Sequence, residues 1–234
     1  MIQKSSNVGT VKTALKLGKA RLYKYARAFG FGGRTGVDLP GEVPGSLRDV
    51  KSWSGVSLAS VAIGQEVGVT ALQMLSAMNC IANGGYYVKP YIVAETRPQG
   101  GEEAVRGGPS EARKVISGNT ARKLSEILCD VVEEGGTAVE ANIRGYQVAG
   151  KTGTSQKYDR AIGRYSKEKF VGSFVGYVPA DNPKISAIVV VNEPRGQYYG
   201  GLVAAPAFKE IAEQTLMYMK VPTRLPKQTV LVER

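Results

Sequence analysis

Apolar residues recur at three- and four-residue spacing in four stretches of the chain, and each is predicted to be a helix with one buried face. In the first, Val8, Val11 and Leu15 are followed, after a break near Gly18, by Leu22, Tyr25, Ala26 and Phe29, with Ser6 or Asn7 placed to cap the start. Thr70 caps the second, which carries Leu72, Leu75, Met78 and Ile81 or Ala82 on its inner stripe and ends at Asn83-Gly84-Gly85. Asn119-Thr120 opens the third, with Leu124, Ile127, Leu128, Val131 and Val132 inward and Gly135-Gly136 closing it. The last runs from Ala205-Pro206 to Met219, with Phe208, Ile211, Ala212, Thr215 and Met219 inward, and Pro206 fits its first turn.

Strand patterns fall mostly in the second half. Residues 86–94 read as a short strand or edge. Tyr146, Val148 and Ala149 start a buried strand that continues through Lys151-Thr-Gly153 to Ser155. Residues 169–177 and 184–191, joined by Pro179-Ala-Asp-Asn-Pro183, predict an antiparallel hairpin. The apolar run Ile185, Ala187, Ile188, Val189, Val190 and Val191 suits a central strand covered on both faces. Between these elements, residues 30–55 are dense in Gly and Pro and read as a surface excursion pinned by Trp53. Residues 99–109 read as a polar connection, and residues 155–169, with Tyr158, Arg160, Arg164 and Tyr165, as a polar loop at the rim of a site.

Composition narrows the chemistry. With 234 residues, 43% hydrophobic, the chain can bury one sizeable core. Its zero histidines exclude Ser-His-Asp and Cys-His arrangements, so a base must be Lys, a carboxylate or Tyr. Cys80 and Cys129 both sit in apolar helical patterns; they read as buried free thiols, and two cysteines argue against a structural zinc site. A net charge of +11 suits an anionic partner, yet the cations are scattered, with clusters at residues 12–27 and 157–169 and no nucleic-acid motif, so they read as a solvated basic surface. No apolar run approaches the ~20 residues that span a bilayer, and Met1-Ile-Gln-Lys4 lacks a signal-peptide core.

One stretch concentrates chemistry. In Gly150-Lys-Thr-Gly-Thr154 a cation and two hydroxyls lie on a strand whose glycines let another backbone come close, which suits an extended peptide carboxylate added as a further strand. Taken alone, Lys151-Thr-Gly153 also reads as an ordinary strand end with a solvated lysine, and Ser5-Ser-Asn7 as a helix cap.

Ser5-Ser-Asn7, Lys151-Thr-Gly153 with Thr154, Gly36-Val-Asp-Leu-Pro-Gly-Glu42, Ile81-Ala-Asn-Gly-Gly85 and Tyr199-Gly-Gly-Leu-Val-Ala-Ala-Pro206 resemble the class B penicillin-binding proteins, in that family's order and over nearly the whole chain. Tyr199-Gly-Gly201 and Val175-Gly-Tyr-Val-Pro-Ala180 are closest to the division (septal) or sporulation type. The resemblance implies an α/β (α+β) fold like that of penicillin-binding proteins and serine β-lactamases: an antiparallel sheet flanked by helices, here without the family's N-terminal strands and nucleophile helix. Residues 1–220 then form the C-terminal part of a transpeptidase domain and residues 221–234 a tail.

The implied activity is peptidoglycan cross-linking by acyl transfer from D-Ala-D-Ala stem peptides, with β-lactam antibiotics as inhibitors and no cofactor or metal. Ser5, Asn7, Lys151 and Thr154 are the implied catalytic residues, and Thr152, Gly153 and Thr154 the substrate-binding ones. Ser5 would relay a proton, Asn7 hold the substrate amide, Lys151 supply fixed charge, the Thr152 and Thr154 hydroxyls bind the terminal carboxylate, and the Thr154 amide serve the oxyanion. Ser6 stands where class A β-lactamases carry Asp, which favours a penicillin-binding protein.

The family's Ser-x-x-Lys nucleophile has no counterpart ahead of Ser5. Ser166-Lys-Glu-Lys169 has the spacing but follows Lys-Thr-Gly in a charged segment, out of the family's order. The expectation is a chain inactive alone, whose partners are the N-terminal half of the same protein and membrane division-machinery proteins, not nucleic acid. The enzyme would be extracytoplasmic and anchored by an N-terminal helix outside this chain, and residues 185–191 would present an apolar edge without the missing half. The alternatives are a β-lactam-hydrolysing or β-lactam-sensing relative and a non-catalytic truncated product.

Overall fold

The computed structural model describes residues 1–97, 104–109, 112–159, 161 and 163–223. Arg160, most of the tail at residues 221–234 and part of the connection at 99–109 lie outside the described residues. Helices α1 (Asn7–Leu17) and α2 (Lys19–Ala28) come first. Short strands β1 (Ser46–Leu47) and β2 (Val67–Gly68) pair antiparallel around α3 (Ser57–Ala62). Helix α4 (Ala71–Ala82) leads to four two-residue strands, β3 (Tyr86–Tyr87), β4 (Glu95–Thr96), β5 (Val105–Arg106) and β6 (Arg113–Lys114), which pair β3 with β6 and β4 with β5. Helix α5 (Gly118–Cys129) precedes the main sheet, β7 (Ala149–Asp159), β8 (Arg164–Val178) and β9 (Ile185–Asn192), and α6 (Gly200–Val203) and α7 (Ala205–Tyr218) follow it.

The sheet is antiparallel in the order β7-β8-β9, with helices on both faces. Alternation along β8 feeds two cores. Phe174 and Val178 point to one face, where the Phe174 ring meets Phe208 of α7 edge to face at 4.8 Å alongside Ala212 and Leu216. Val175 and Tyr177 point to the other and pack on Met78 of α4 and Leu128 of α5. Phe174, Tyr177, Phe208 and Leu216 are all fully buried.

Capping fixes the helix starts. The Gly9 amide donates to Ser6 Oγ at 3.2 Å, and Gly18, at φ 83°, ends α1 where the periodicity breaks. Thr70 and Gln73 form a reciprocal capping box at α4. The Gln73 amide, wholly buried, also donates to the carbonyls of Gly33 (2.7 Å) and Pro44 (2.9 Å), and so ties the excursion at residues 30–55 to the helix. Trp53 is buried there with its indole N–H on the Arg48 carbonyl at 3.1 Å.

Several expectations are corrected. Residues 155–169 are not a loop: β7 and β8 run on through most of them as a hairpin whose pairing slips between Gln156 and Tyr158. A ladder needs backbone partners and fitting cross-strand pairs rather than burial, and Tyr158 against Tyr165, edge to face at 5.5 Å, is such a pair. Among the described residues strand β9 lies at the edge of the sheet rather than at its centre, in line with the apolar edge expected of residues 185–191, and Val190 is 47% exposed; β8 is the strand covered on both faces. Tyr146 lies before the buried strand, in an isolated bridge with Ile143. Only Tyr86 and Tyr87 of residues 86–94 form a strand, because the Asp38 carboxylate takes the Ile92 and Val93 amides instead.

Helix faces also shift. Helix α5 starts one residue after its cap Ser117, not at Asn119-Thr120, and Val131 and Val132 are buried in the turn beyond its end. The buried stripe of α7 is Ala205, Phe208, Ala212 and Leu216, while Ile211 and Met219 are exposed. One sheet face contacts only a narrow stripe of a helix. In α1 Ala14 is the buried residue, and Val8 and Leu15 are 67% and 62% exposed. Cys80 and Cys129 are free thiols, each pushed up to about 11 by burial. No helix among the described residues is long and apolar enough to cross a membrane.

Candidate active site

Strand β7 has β8 on one side and no strand on the other among the described residues, so one row of its backbone donors and acceptors is open to an added chain. Period-two alternation divides its side chains. Lys151 and Gly153, opposite Val175 and Ser173, lie on the α4–α5 face; Thr152 and Thr154, opposite Phe174 and Gly172, lie on the α6–α7 face.

Lys151 is the centre of the cluster. Its ammonium has three donors and three acceptors in reach: Ser5 Oγ at 3.0 Å, the Thr152 carbonyl at 3.0 Å and Thr152 Oγ1 at 3.3 Å. No carboxylate pairs with it among the described residues. Desolvation holds its pKa below the ordinary lysine value. The arrangement is a fixed, partly dehydrated cation.

Ser5 reaches Lys151 from 146 residues away. Ile2 packs against both cores, and the Ser5 amide donates to the Ile2 carbonyl at 3.0 Å, so the first residues are docked rather than free. Ser5 itself has φ 50°, a left-handed conformation that costs a non-glycine residue roughly 1–2 kcal/mol. Asn7 stands two residues on as the exposed first residue of α1. Ser5, Lys151 and Thr152 are thus brought together, whereas Asn7 is linked to them only through its place two residues after Ser5.

Thr154 is exposed, and its Oγ1 accepts the Gly200 amide at 3.1 Å. That contact explains the two glycines at the start of α6. A Cβ at Gly200 would lie 2.2 Å from the Ser173 carbonyl oxygen and 2.4 Å from that of Gly153, and one at Gly201 would lie 2.0 Å from the Thr137 carbonyl oxygen. Neither backbone can yield, so only glycine lets α6 sit on the sheet. A Cβ at Gly153 would meet the Ser173 hydroxyl at 2.5 Å.

Thr137, in the turn between α5 and β7, was not singled out by the sequence, yet its hydroxyl lies 2.9 Å from Thr152 Oγ1. Gly135-Gly136 signals only a turn; nothing in the apolar pattern marks the residue after it. Ser166, by contrast, is not part of the cluster. Its Oγ accepts the Glu168 and Lys169 amides at 3.1 and 3.0 Å within the irregular segment of β8 that stands against Lys157, about 20 Å along the hairpin from Lys151. No group of three or more His, Cys, Asp or Glu able to hold a metal occurs among the described residues.

Chemically, the site offers fixed positive charge, hydroxyls on either side of it and an open strand edge. That combination can seat the carboxylate end of an extended peptide and stabilise negative charge developing nearby.

Comparison with known proteins gives a consistent picture. The family model described as the penicillin binding protein transpeptidase domain matches residues 1–213. The chain is 38% identical over 226 residues to Stage V sporulation protein D of Bacillus subtilis, covering 96% of this chain and 34% of that protein. It is 39% identical over 227 residues to Penicillin-binding protein PbpB of Mycolicibacterium smegmatis, covering 94% of this chain and 35% of that protein. Among solved structures, penicillin binding protein 3 of Mycobacterium tuberculosis complexed with aztreonam superposes with a TM-score of 0.90 at 36% identity, over 96% of this chain and 52% of that one. The transpeptidase domain of Burkholderia pseudomallei penicillin-binding protein 3 gives 0.82 at 33% identity, over 96% of this chain and 65% of that one. The chain spans about a third of the length of these two curated relatives.

Proposed function

The chain belongs to the transpeptidase domain family of class B penicillin-binding proteins, and from that premise we propose that it forms the substrate-binding half of a peptidoglycan D,D-transpeptidase site. The observation that carries the reading is Lys151: a cation held by Ser5 and Thr152, without a carboxylate partner among the described residues, beside an open strand edge.

The reaction is acyl transfer in two steps. A serine hydroxyl, supplied from outside these 234 residues, attacks the carbonyl of the penultimate D-Ala of a stem peptide. The C–N bond to the terminal D-Ala breaks, and the serine proton ends on the departing amine. An amine of a neighbouring stem then attacks the ester, its proton returns to the serine, and the new amide is the cross-link. Ser5, hydrogen-bonded to Lys151, relays the proton in the first step. Lys151 attracts the substrate carboxylate and, by its charge, lowers the pKa of any lysine acting as base nearby. Thr152 and Thr154 take the carboxylate, Asn7 takes the stem-peptide amide, and Gly153 lets the substrate backbone lie against β7. The Thr154 amide serves as an oxyanion donor, and losing such a donor raises a barrier by about 2.7–4 kcal/mol. A β-lactam acylates the same serine and is trapped there.

Because the substrate is the wall polymer, the site works on the outer face of the cell membrane. Its place is in septum or spore-wall synthesis beside membrane division proteins, a reading for which the relative named Stage V sporulation protein D supports the sporulation side alone. The test supplies the complete gene product with a stem peptide ending in D-Ala-D-Ala and an amine acceptor, and follows products by mass spectrometry. Cross-linked peptide with one D-Ala released per link is expected. Release of D-Ala with hydrolysed peptide alone, or no turnover of any kind, overturns the assignment.

A further inference from the structure

Lys151, Thr152 and Thr137 form a chain of hydrogen bonds whose last member has no role in the reaction described above. Thr152 Oγ1 can accept two hydrogen bonds and donate one. Lys151 donates into one lone pair at 3.3 Å. Thr137 Oγ1 lies 2.9 Å away, where either hydroxyl could be the donor. If Thr152 donates to Thr137, it has no hydrogen left for a ligand. If Thr137 donates to Thr152, both lone pairs of Thr152 Oγ1 are filled, and its hydrogen is free for an anion beside Lys151.

Resting on the transpeptidase reading, we propose that Thr137 is a positioning residue: by donating to Thr152 Oγ1 it holds that hydroxyl with its hydrogen turned toward the substrate carboxylate, an orientation that Thr137 no longer fixes once its hydroxyl is removed. The turn that carries Thr137 is held for this purpose. The Gly136 amide donates to the Glu133 carbonyl at 2.8 Å, and the Ala138 amide to that of Val131 at 2.9 Å. A Cβ at Gly136 would lie 2.1 Å from the Val131 carbonyl oxygen, and the Thr137 carbonyl is in turn clamped against Gly201 of α6. Thr137 is therefore fixed between α5 and α6, with its hydroxyl as the free variable. An arriving carboxylate sets the direction, because a hydrogen bond to a charged acceptor outweighs one between two neutral hydroxyls.

A purely structural Thr137 and a positioning one differ in selectivity. The experiment measures binding of an N-acetylated peptide ending in D-Ala-D-Ala, and of its C-terminal amide, to the complete gene product and to Thr137→Val, Thr137→Ser and Thr152→Val. The preference for carboxylate over amide is expected to fall about tenfold in Thr137→Val and to survive in Thr137→Ser. Combining Thr137→Val with Thr152→Val is expected to cost no further preference than Thr152→Val alone, because Thr137 acts through Thr152. Thr137→Ala stands in if the valine variant does not fold. An unchanged preference in Thr137→Val, or losses that multiply in the double variant, overturns the proposal while leaving the transpeptidase reading intact. Equal binding of acid and amide by the unaltered protein overturns the proposal together with the carboxylate role of the site.

Discussion

The two ends of the β7–β8 hairpin are made of the same two strands and behave differently. At the inner end, from Ala149 to Thr154, both faces of the sheet are covered, Phe174 fills one core and Val175 enters the other, and side chains are fixed by specific partners. At the outer end, from Gln156 to Phe170, the register slips, Tyr158 is 56% exposed, and Lys157 pairs with the surface acid Glu193 at 2.5 Å. Strand pairing alone therefore does not make a site. The candidate chemistry sits where packing on both faces holds each side chain still, and the outer hairpin projects beyond that support.

Substitutions should separate the two ends. The largest effect is expected from Phe174→Ala, which empties a fully buried position against Phe208 and should lower stability by about 3–5 kcal/mol in denaturant unfolding. A loss below about 1 kcal/mol there would remove the distinction between the ends. Gly200→Ala comes next: its Cβ has no room between the carbonyls of Ser173 and Gly153, so a cost of about 1–3 kcal/mol is expected, together with weaker substrate binding as the Gly200 amide leaves Thr154. At the outer end, Tyr158→Ala removes an exposed edge-to-face pair and should cost less than about 1 kcal/mol by the same unfolding measurement.

The smallest effect concerns pH. Burial holds the Lys151 pKa below the ordinary value of 10.5, so the folded chain releases that proton more readily than the unfolded one. The cost to the fold is present in full below the folded pKa and fades as pH rises toward 10.5. The stability of Lys151→Met relative to the unaltered protein should therefore be highest near neutral pH and decline as pH rises into that range. A relative stability that does not change with pH would contradict the burial of a charge at this position.

Helix ends and the inner end of the hairpin were legible in the sequence where their signals are local. Thr70, Gly18, and Lys151 between two glycines each announce a cap, a break or a close approach from neighbouring residues alone. What was not legible depends on contacts distant in the chain. Leu216 rather than Ile211 faces inward on α7 because the sheet chooses the stripe, and Asp38 draws two amides near Ile92 out of any ladder. The polar residues after Ser155 carry a strand that no hydrophobic alternation foretold. Thr137 meets Thr152 across fifteen residues, and the turn that carries it is closed over by α6, whose glycines lie more than sixty residues further on.

The central claim, that the Lys151 cluster is half of an acyl-transfer site, is tested most directly by the rate of labelling with a fluorescent penicillin. The complete gene product is compared with Lys151→Met and, at the other end of the hairpin, Ser166→Ala. Labelling is expected to slow by at least about a hundredfold in Lys151→Met and to be unchanged in Ser166→Ala. Labelling of Lys151→Met at the unaltered rate, or loss of labelling in Ser166→Ala, would place the chemistry elsewhere in the molecule.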